Sequence, residues 1–235
     1  PQSSIANLRT YEEYIGGQST DVVWGDFPED TACGLCYTSG TTGDPKGVLY
    51  SHRSNILHTM IGLQKDAIGI GAADATLPVV PMFHANAWGL AFSGPATGSK
   101  LVLPGAKMDG ESIYELLENE KVTFTAAVPT VWLMLLQYLE QTGKKLPHLN
   151  RVVIGGSAVP ERILRAFEEN YQVEVVHAWG MTEMSPLGSL GSMTEGVLAQ
   201  DHDTIMKYKL KQGRAPFGVE MKTINDENEL LPHDG

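Results

Sequence analysis

Helix-like and strand-like segments alternate through most of this chain, and that alternation constrains the fold more than any other feature. Strand patterns at residues 122–128, 151–154 and 173–177 are separated by helical patterns that begin at Pro129 and Pro160. Strands connected through helices lie parallel in one sheet, and the helices then cover both of its faces. The sequence therefore predicts an α/β fold with a largely parallel sheet flanked by helices.

The other patterned segments fit the same plan. Asp109 can cap a helix whose apolar residues recur at helical spacing. From about Met193 the sequence becomes polar and rich in turn residues. We therefore predict a partial central α/β subdomain at 1–192 and an irregular segment at 193–235 that leads toward a truncated further subdomain. Further strands are predicted at 33–37, 48–50, 76–80 and 100–103, and a further helix at 51–68.

Composition limits the class of protein and its partners. Hydrophobic residues make up 42% of the 235 residues and charged residues 19%, which suits a globular chain with a sizeable core. The net charge of −11 repels nucleic-acid phosphates and anionic lipid headgroups, so neither is expected as a partner. No apolar stretch approaches the roughly 20 residues that a transmembrane helix needs, and no secretory signal pattern occurs. We expect a cytoplasmic protein without a transmembrane segment.

The two cysteines, Cys33 and Cys36, form a C-x-x-C pattern. A redox pair with this spacing is expected at the start of a helix. Here the pattern lies in a predicted strand, where residues three apart face opposite sides and form a disulfide poorly. We interpret both cysteines as small hydrophobic residues of a core strand in a reducing compartment, and we keep a redox protein as an alternative.

A loop rich in glycine and hydroxyl groups follows the first strand. Residues 37–47 read YTSGTTGDPKG, and Lys46 adds a positive charge near its end. Glycines let the backbone approach a ligand closely, while hydroxyls and a lysine suit phosphate oxygens. The spacing is not that of a Walker A loop, which has four residues between its glycines. The pattern predicts a phosphate-binding loop of another kind.

Two further loops leave predicted strands, which is where ligands bind in open α/β sheets. Residues 155–160 read GGSAVP, and their small side chains would let a flat ring or an acyl chain lie against the backbone. Residues 177–183 read HAWGMTE. There Trp179 offers a stacking face, Thr182 a hydroxyl and Glu183 a hard oxygen ligand suited to Mg²⁺. Both loops are candidates for one site.

An isolated histidine, His84, lies in residues 81–88, which read PMFHANAW. By itself, a histidine among apolar neighbours is more often a core residue than a functional one. The other six histidines show no metal-ligand spacing, so we do not expect a zinc site.

Taken together and in this order, the motifs resemble the adenylate-forming superfamily, which includes acyl-CoA synthetases, peptide-synthetase adenylation domains and luciferases. The resemblance runs from about Cys33 to the C-terminus and rests on residues 37–47, 81–84, 155–158 and 179–183. Within the superfamily, the segments FHANAWG and HAWGMTE look most like the bacterial medium- and long-chain fatty-acyl-CoA ligases, including the methylmercaptopropionate-CoA ligases. The resemblance implies a fragment of the large N-terminal domain of an acyl-CoA synthetase.

This resemblance implies a reaction in two halves. A carboxylate attacks the α-phosphorus of ATP, giving an acyl-AMP and pyrophosphate, and the CoA thiolate then attacks the acyl carbon and releases AMP. The implied cofactors and co-substrates are Mg²⁺, ATP and CoA. The implied substrate is a fatty or other apolar carboxylic acid, and a homodimer of the parent enzyme is left open.

The resemblance also implies roles for individual residues, with the nucleotide-binding function in the central subdomain. The catalytic residues would be Thr182, Glu183, His84 and Lys46, and the metal ligands would be Thr38 and Glu183. The acyl pocket would be formed by His84, Ala85, Trp88 and Gly155. The ATP- and AMP-binding residues would be Thr38, Ser39, Gly40, Thr41, Thr42, Gly43, Gly156, Ser157, His177, Ala178, Trp179, Gly180 and Thr182.

Two parts of the family's pattern are not matched in this sequence. They are a Thr-Gly-Asp segment whose Asp binds the ribose hydroxyls, and a mobile C-terminal domain that carries a catalytic Lys. We therefore interpret the chain as a central fragment and expect it to be inactive alone. A nucleotide-binding module without chemistry is one alternative. An amino-acid adenylation domain is another, although it needs a buried acid for the substrate ammonium and no carboxylate lies between Leu77 and Leu103.

Overall fold

The computed structural model describes residues 9–38 and 43–232. After the short helix α1 (Tyr11–Ile15), two antiparallel strands, β1 (Ala32–Thr38) and β2 (Lys46–Ser51), form a small sheet of their own. Leu35 and Leu49 are paired across it and both are exposed. Because side chains alternate along a strand, the even-numbered residues form the opposite face, which is turned toward the rest of the protein. The strands predicted at 33–37 and 48–50 are therefore confirmed, but as a hairpin outside the central sheet.

The two cysteines differ in their surroundings. Cys36 is buried, as predicted, but Cys33 is exposed, so the expectation that both are core residues is wrong for Cys33. The register shift between Ala32 and Gly34 puts Cys33 at an irregular end of the strand. Both thiols are free, and the Cys33 sulfur accepts a hydrogen bond from Asn55 Nδ2 at 3.0 Å. Nothing in this geometry favours the redox alternative.

Six strands form the central sheet: β3 (Ala75–Pro78), β4 (Lys100–Leu101), β5 (Phe124–Ala127), β6 (Arg151–Ile154), β7 (Glu174–Gly180) and β8 (Leu187–Leu190). Their order across the sheet is β4-β3-β5-β6-β7-β8. The first five in that order are parallel, and β8 runs antiparallel to β7. The predicted α/β fold with a largely parallel sheet is confirmed.

Helices cover both faces of this sheet, with two hydrophobic cores between the layers. Along β6, Val152 and Ile154 join the core that also contains Trp132 and Phe167, whereas Val153 joins the second core, which contains Leu90. Successive side chains of this buried strand thus point to opposite faces of the sheet and pack in different cores. The helices are α2 (His52–Gly62), α4 (Leu90–Thr97), α5 (Gly110–Asn119), α6 (Pro129–Thr142), α7 (Glu161–Arg165) with a π-helical turn at Ala166–Asn170, α8 (Glu195–Leu198) and α9 (His202–Leu210); we label the one-turn segment Ala85–Trp88 α3.

Local capping signals place the helix starts well. Asp109 accepts a hydrogen bond from the backbone N–H of Ser112, and Pro129 occupies the first turn of α6. Both residues satisfy or remove a backbone donor that a helix start would leave unpaired. The two helix starts predicted at these positions are confirmed.

The helix predicted at 51–68 ends early, at Gly62. The carbonyl oxygen of Gly62 accepts hydrogen bonds from the backbone N–H groups of Ile68 and Gly69, at 2.9 and 3.0 Å. These bonds fold the chain back on itself, so that Ile68 becomes a residue of the second core. A helix running to residue 68 would carry Ile68 away from that core.

Beyond the predicted elements, the structure contains β8 and α9. All four residues of β8 are buried beside β7, and Met206 of α9 is 2% exposed in the first core. Met206 lies beyond residue 192, and the division of the chain at that residue stays a prediction. Within residues 9–38 and 43–232, no helix is both long and apolar enough to cross a membrane.

Candidate active site

A cleft of about 640 Å³ opens where β6 and β7 end, between the central sheet and the β1–β2 hairpin. Its volume is in the range of cavities that hold small organic ligands. Residues from four separate motifs of the sequence meet there. The predicted site residues that line it are Thr38, Lys46, His84, Ala85, Trp88, Gly155, Gly156, Ala178, Trp179, Gly180, Thr182 and Glu183.

The hairpin supplies the two described ends of the predicted phosphate loop. Thr38 closes β1, Lys46 opens β2, and the two are paired in register. The Thr38 hydroxyl donates to the carbonyl oxygen of Lys46 at 3.4 Å. Gly43 is described but does not line the cleft. The predicted residues Ser39, Gly40, Thr41 and Thr42 lie outside the described residues.

The loop after β6 forms the floor of the cleft with two glycines. A Cβ atom at Gly155 would lie 2.9 Å from the carbonyl oxygen of Ala178 and 3.2 Å from the Trp88 ring. Only glycine leaves room for both neighbours. The sequence predicted that a flat ring or an acyl chain could lie against this backbone. In the structure, the ring of Trp88 lies there. Ser157, the next predicted residue, is exposed and does not line the cleft.

The end of β7 supplies an aromatic wall. Trp179 is half-buried and packs over β8, where a Cβ at Gly188 would come within 2.4 Å of its ring. His177 does not line the cleft. It is buried, its Nδ1 lies 3.0 Å from the carbonyl oxygen of Leu210, and its Nε2 has no hydrogen-bond partner among the described residues. Burial lowers the pKa of His177, which keeps the ring neutral.

A 3₁₀ turn at Thr182–Met184 carries the predicted Thr-Glu pair. Thr182 is buried, and Glu183 is exposed to the cleft. The Tyr50 hydroxyl donates to the carbonyl oxygen of Thr182 at 2.6 Å. The pair is thus held against β2 by a residue that the sequence patterns did not single out.

The segment after His84 has an unusual backbone. All four residues of α3 have positive φ, between 46° and 56°. For residues with a Cβ, this left-handed conformation costs roughly 1–2 kcal/mol each, so it persists only where packing imposes it. Ala85 and Ala87 are buried, and Trp88 is turned over the glycines that follow β6. His84 remains exposed at the rim of the cleft.

The donor set suits a hard divalent cation that is shared with a phosphate ligand. Thr38 offers a hydroxyl and Glu183 a carboxylate, and both line the cleft. Residues 9–38 and 43–232 contain no cluster of three or more His, Cys, Asp or Glu that could hold a metal by itself. Mg²⁺ is usually bound through one or two carboxylates together with substrate phosphates. The residues present fit such a partial site.

Apolar residues that sequence reasoning did not single out complete the cleft. Ile68 comes from the turn after α2, Val153 from β6, and the others from β8 and the loop before it. Their presence makes part of the cleft lining apolar. No local motif marks these residues, because ordinary core residues become a wall only where the elements meet. The additional lining residues are Ile68, Val153, Met181, Pro186, Leu187 and Leu190.

Comparison with known proteins gives consistent matches over nearly the whole chain. A family model described as "AMP-binding enzyme" matches residues 6–235. The medium-chain-fatty-acid–CoA ligase of Ectopseudomonas oleovorans is 47% identical over 233 residues, which cover 99% of this chain and 43% of that protein. The 3-methylmercaptopropionyl-CoA ligase of Ruegeria lacuscaerulensis is also 47% identical, with 98% and 43% covered. The chain thus spans less than half the length of these relatives.

Solved structures agree on the fold. An anthranilate CoA ligase, AuaEII, in complex with anthranoyl-AMP superposes with a TM-score of 0.80 at 22% identity, covering 95% of this chain and 41% of that one. The o-succinylbenzoate CoA synthetase MenE of Bacillus subtilis, in complex with ATP and magnesium, superposes with a TM-score of 0.74 at 22% identity, covering 92% and 42%.

Proposed function

The chain belongs to the family of AMP-binding enzymes, and from that premise we propose that the enzyme containing it is an AMP-forming carboxylate–CoA ligase. The observation that carries the proposal is the meeting of four sequence motifs in one cleft, at Lys46, Trp88, Gly155 and Glu183. In the first half-reaction, a carboxylate oxygen bonds to the α-phosphorus of ATP and the bond to pyrophosphate breaks. In the second, the CoA thiolate bonds to the acyl carbon and AMP leaves.

The polar residues that line the cleft would bind the phosphates. Lys46 supplies a positive charge and Thr182 a hydroxyl, and we predict that residues 39–42, outside the described residues, complete the cradle. Charge spread over the phosphates in the transition state needs donors that are already in position. Thr38 and Glu183 would hold Mg²⁺. When bound, the cation neutralises phosphate charge and orients the leaving pyrophosphate.

Trp179 and the glycine floor would hold the base and the acyl group. The half-buried Trp179 ring offers a face for stacking beside Ala178 and Gly156. His84 at the rim would lie near the carboxylate, with Trp88 along the acyl side. His177 would act indirectly, by holding β7 in place. Its ring is hydrogen-bonded to the carbonyl oxygen of Leu210 and does not line the cleft.

An apolar carboxylic acid is the substrate class that the cleft supports. Glu183 is the only acidic side chain among its described lining residues, and it is assigned to the metal. An amino-acid substrate would leave its ammonium group without a buried partner, which costs several kcal/mol. The medium-chain and methylmercaptopropionyl specificities named for the relatives fit this class. The amino-acid adenylation alternative is therefore disfavoured.

The co-substrates are ATP and CoA. We propose that the enzyme acts in the cytoplasm, which suits the two free cysteines of this chain. The charge of −11 argues against a nucleic-acid partner. A homodimer of the full-length enzyme is an additional hypothesis that sedimentation velocity would test.

The full-length enzyme should be assayed for AMP release with MgATP, CoA and a panel of straight-chain acids, and for acyl-hydroxamate formation when hydroxylamine replaces CoA. We expect AMP release that depends on the acid, and hydroxamate without CoA. Residues 1–235 alone should release none. ATP binding without pyrophosphate release by the full-length protein would contradict the proposal and favour a binding module. Amino-acid-dependent ATP–pyrophosphate exchange would favour the adenylation alternative.

A further inference from the structure

The loop from Thr182 to Leu187 is held at its first residue by Tyr50. The Tyr50 hydroxyl donates to the Thr182 carbonyl oxygen at 2.6 Å, and the side chain is 3% exposed. Burial, with Cys36 and Glu183 nearby, raises the pKa of Tyr50 to about 12. The hydroxyl therefore keeps its proton at neutral pH and remains a donor. This bond joins residues 132 positions apart in the sequence.

The same loop is held at its last residue by His58. The backbone N–H of Leu187 donates to His58 Nε2 at 3.2 Å, in a buried environment. Burial lowers the pKa of His58 to about 4, so the ring is neutral and Nε2 can accept. The ring also packs closely against Gly89, where a Cβ would lie 2.6 Å from its Cε1 atom.

Both contacts come from one continuous piece of chain. Tyr50 lies on β2 and His58 on α2, which begins directly after that strand. Lys46 opens the same strand and lies four residues before Tyr50, so the two side chains share one face. Tyr50 and His58, which hold the loop, are thus close in sequence to Lys46, the predicted phosphate-binding lysine. The loop that they hold carries Glu183.

We propose that Tyr50 and His58 are positioning residues that keep Glu183 at a fixed spacing from Lys46 and Thr38. This inference rests on the proposed function. Neither side chain lines the described cleft, so each acts through the backbone of residues 182–187. A displacement of about 1 Å of a catalytic group can cost about 10²-fold in rate. The two hydrogen bonds oppose such a displacement of the Thr-Glu turn.

The first test compares Tyr50→Phe with Thr125→Val in the full-length enzyme. Tyr50→Phe removes only the hydroxyl. The control removes another buried hydroxyl that donates to a backbone carbonyl, from Thr125 to Leu77 at 2.7 Å, away from the cleft. Hydrogen exchange of the backbone amides of residues 183–185 and 187 should quicken about tenfold in Tyr50→Phe, the effect of one lost hydrogen bond, and stay at the wild-type rate in Thr125→Val.

The second readout separates positioning from simple loosening. Acyl-hydroxamate formation should need about tenfold more Mg²⁺ in Tyr50→Phe, while thioester formation from supplied acyl-AMP should change less than twofold. Thr125→Val should keep the wild-type magnesium dependence. Faster exchange without a change in magnesium dependence would overturn the inference, because the bond would then be structural only.

If the Tyr50→Phe protein does not fold, a second pair of variants at His58 tests the same inference. His58→Gln keeps an acceptor near the position of Nε2, whereas His58→Leu removes it. We expect faster exchange at Leu187 and a raised magnesium requirement in His58→Leu, with partial recovery in His58→Gln. Wild-type behaviour of both variants would overturn the role of His58. If wild-type enzyme forms no acyl-adenylate, the proposed function fails, and the exchange data alone still decide whether the two bonds hold the loop.

Discussion

Charge in the cleft is concentrated on two side chains of opposite sign. Lys46 comes from the hairpin and Glu183 from the turn after β7, and both are exposed to solvent. Exposed charges interact weakly in water, so their effect depends on the phosphates and the cation that would lie between them.

Glu183→Gln should lower magnesium-dependent adenylation by about 10²-fold, the typical cost of losing one charge-stabilising group. The amide keeps the size of the side chain, so the fold should persist. Rates of hydroxamate formation across a magnesium titration measure the effect. Glu195→Gln is the matched control, since Glu195 is exposed on α8 and away from the cleft. Equal magnesium dependence in Glu183→Gln and wild type would contradict the metal assignment.

Lys46→Ala should lower adenylation while sparing thioester formation from supplied acyl-AMP. Pyrophosphate is present only in the first half-reaction, and a positive charge beside it lowers only that barrier. The two half-reactions are measured separately, and Lys65→Ala, an exposed lysine outside the cleft, serves as the control. A comparable decrease in both half-reactions would point instead to a general structural role for the hairpin.

His58 should make the protein less stable in acid. Its folded-state pKa is about 4, below the ordinary value of 6.5, so the unfolded chain binds the extra proton first as the pH falls. Stability from this group is complete above pH 6.5 and is lost toward pH 4. Between pH 8 and pH 5 the loss should be about 2 kcal/mol.

Denaturant unfolding of wild type and His58→Gln at pH 8 and pH 5 measures this contribution. The variant should show a smaller decrease in unfolding free energy over that interval, because glutamine does not titrate. Parallel pH profiles for the two proteins would show that His58 is not buried as the structure describes it.

At the scale of elements, the contact between α5 and α6 depends on the absence of a side chain at Gly110. A Cβ there would lie 2.3 Å from the carbonyl oxygen of Met134. Backbone cannot move aside as a flexible side chain can, so Gly110→Ala should lower the free energy of unfolding by about 1–3 kcal/mol.

Gly196→Ala is the matched control, since a Cβ at Gly196 would have no heavy atom within 4 Å and helix propensity favours alanine. It should leave stability unchanged or slightly raised. Chemical denaturation of both variants decides the matter. Equal unfolding free energies for the two would contradict the described packing of α5 on α6.

At the scale of the whole molecule, the outer face of the β1–β2 hairpin is apolar and open. Leu35 is 53% exposed, Tyr37 63% and Leu49 66%. Contiguous apolar surface of this kind drives association in water. Purified 1–235 should therefore self-associate, and Leu35→Thr combined with Leu49→Thr should raise the monomer fraction in sedimentation velocity while keeping β-forming residues in both strands.

The control is Leu198→Gln, because Leu198 is an exposed leucine on α8. It tests whether the loss of any exposed leucine raises the monomer fraction. We expect it to leave the association unchanged. A monomeric wild-type chain at the same concentration would contradict the prediction.

Sequence by itself determined the class of fold, the alternation of elements and the motifs of the candidate site. The cap at Asp109 and the proline at the start of α6 act within one helical turn, so they can be read locally. The residues of the loop and strand-end motifs carry their chemistry in their side-chain types. That is why most of the described candidate residues could be named before their positions in space were known.

Only the tertiary structure decided which residues complete the site and how they are held. Tyr50 and His58 contact partners 132 and 129 positions away, β8 exists through its pairing with β7, and the left-handed turn of α3 exists through its packing. Nothing local marks these features, and local propensity opposes some of them, since alanine and tryptophan disfavour positive φ. Their free energies come from contacts between distant segments, which exist only once the chain has folded.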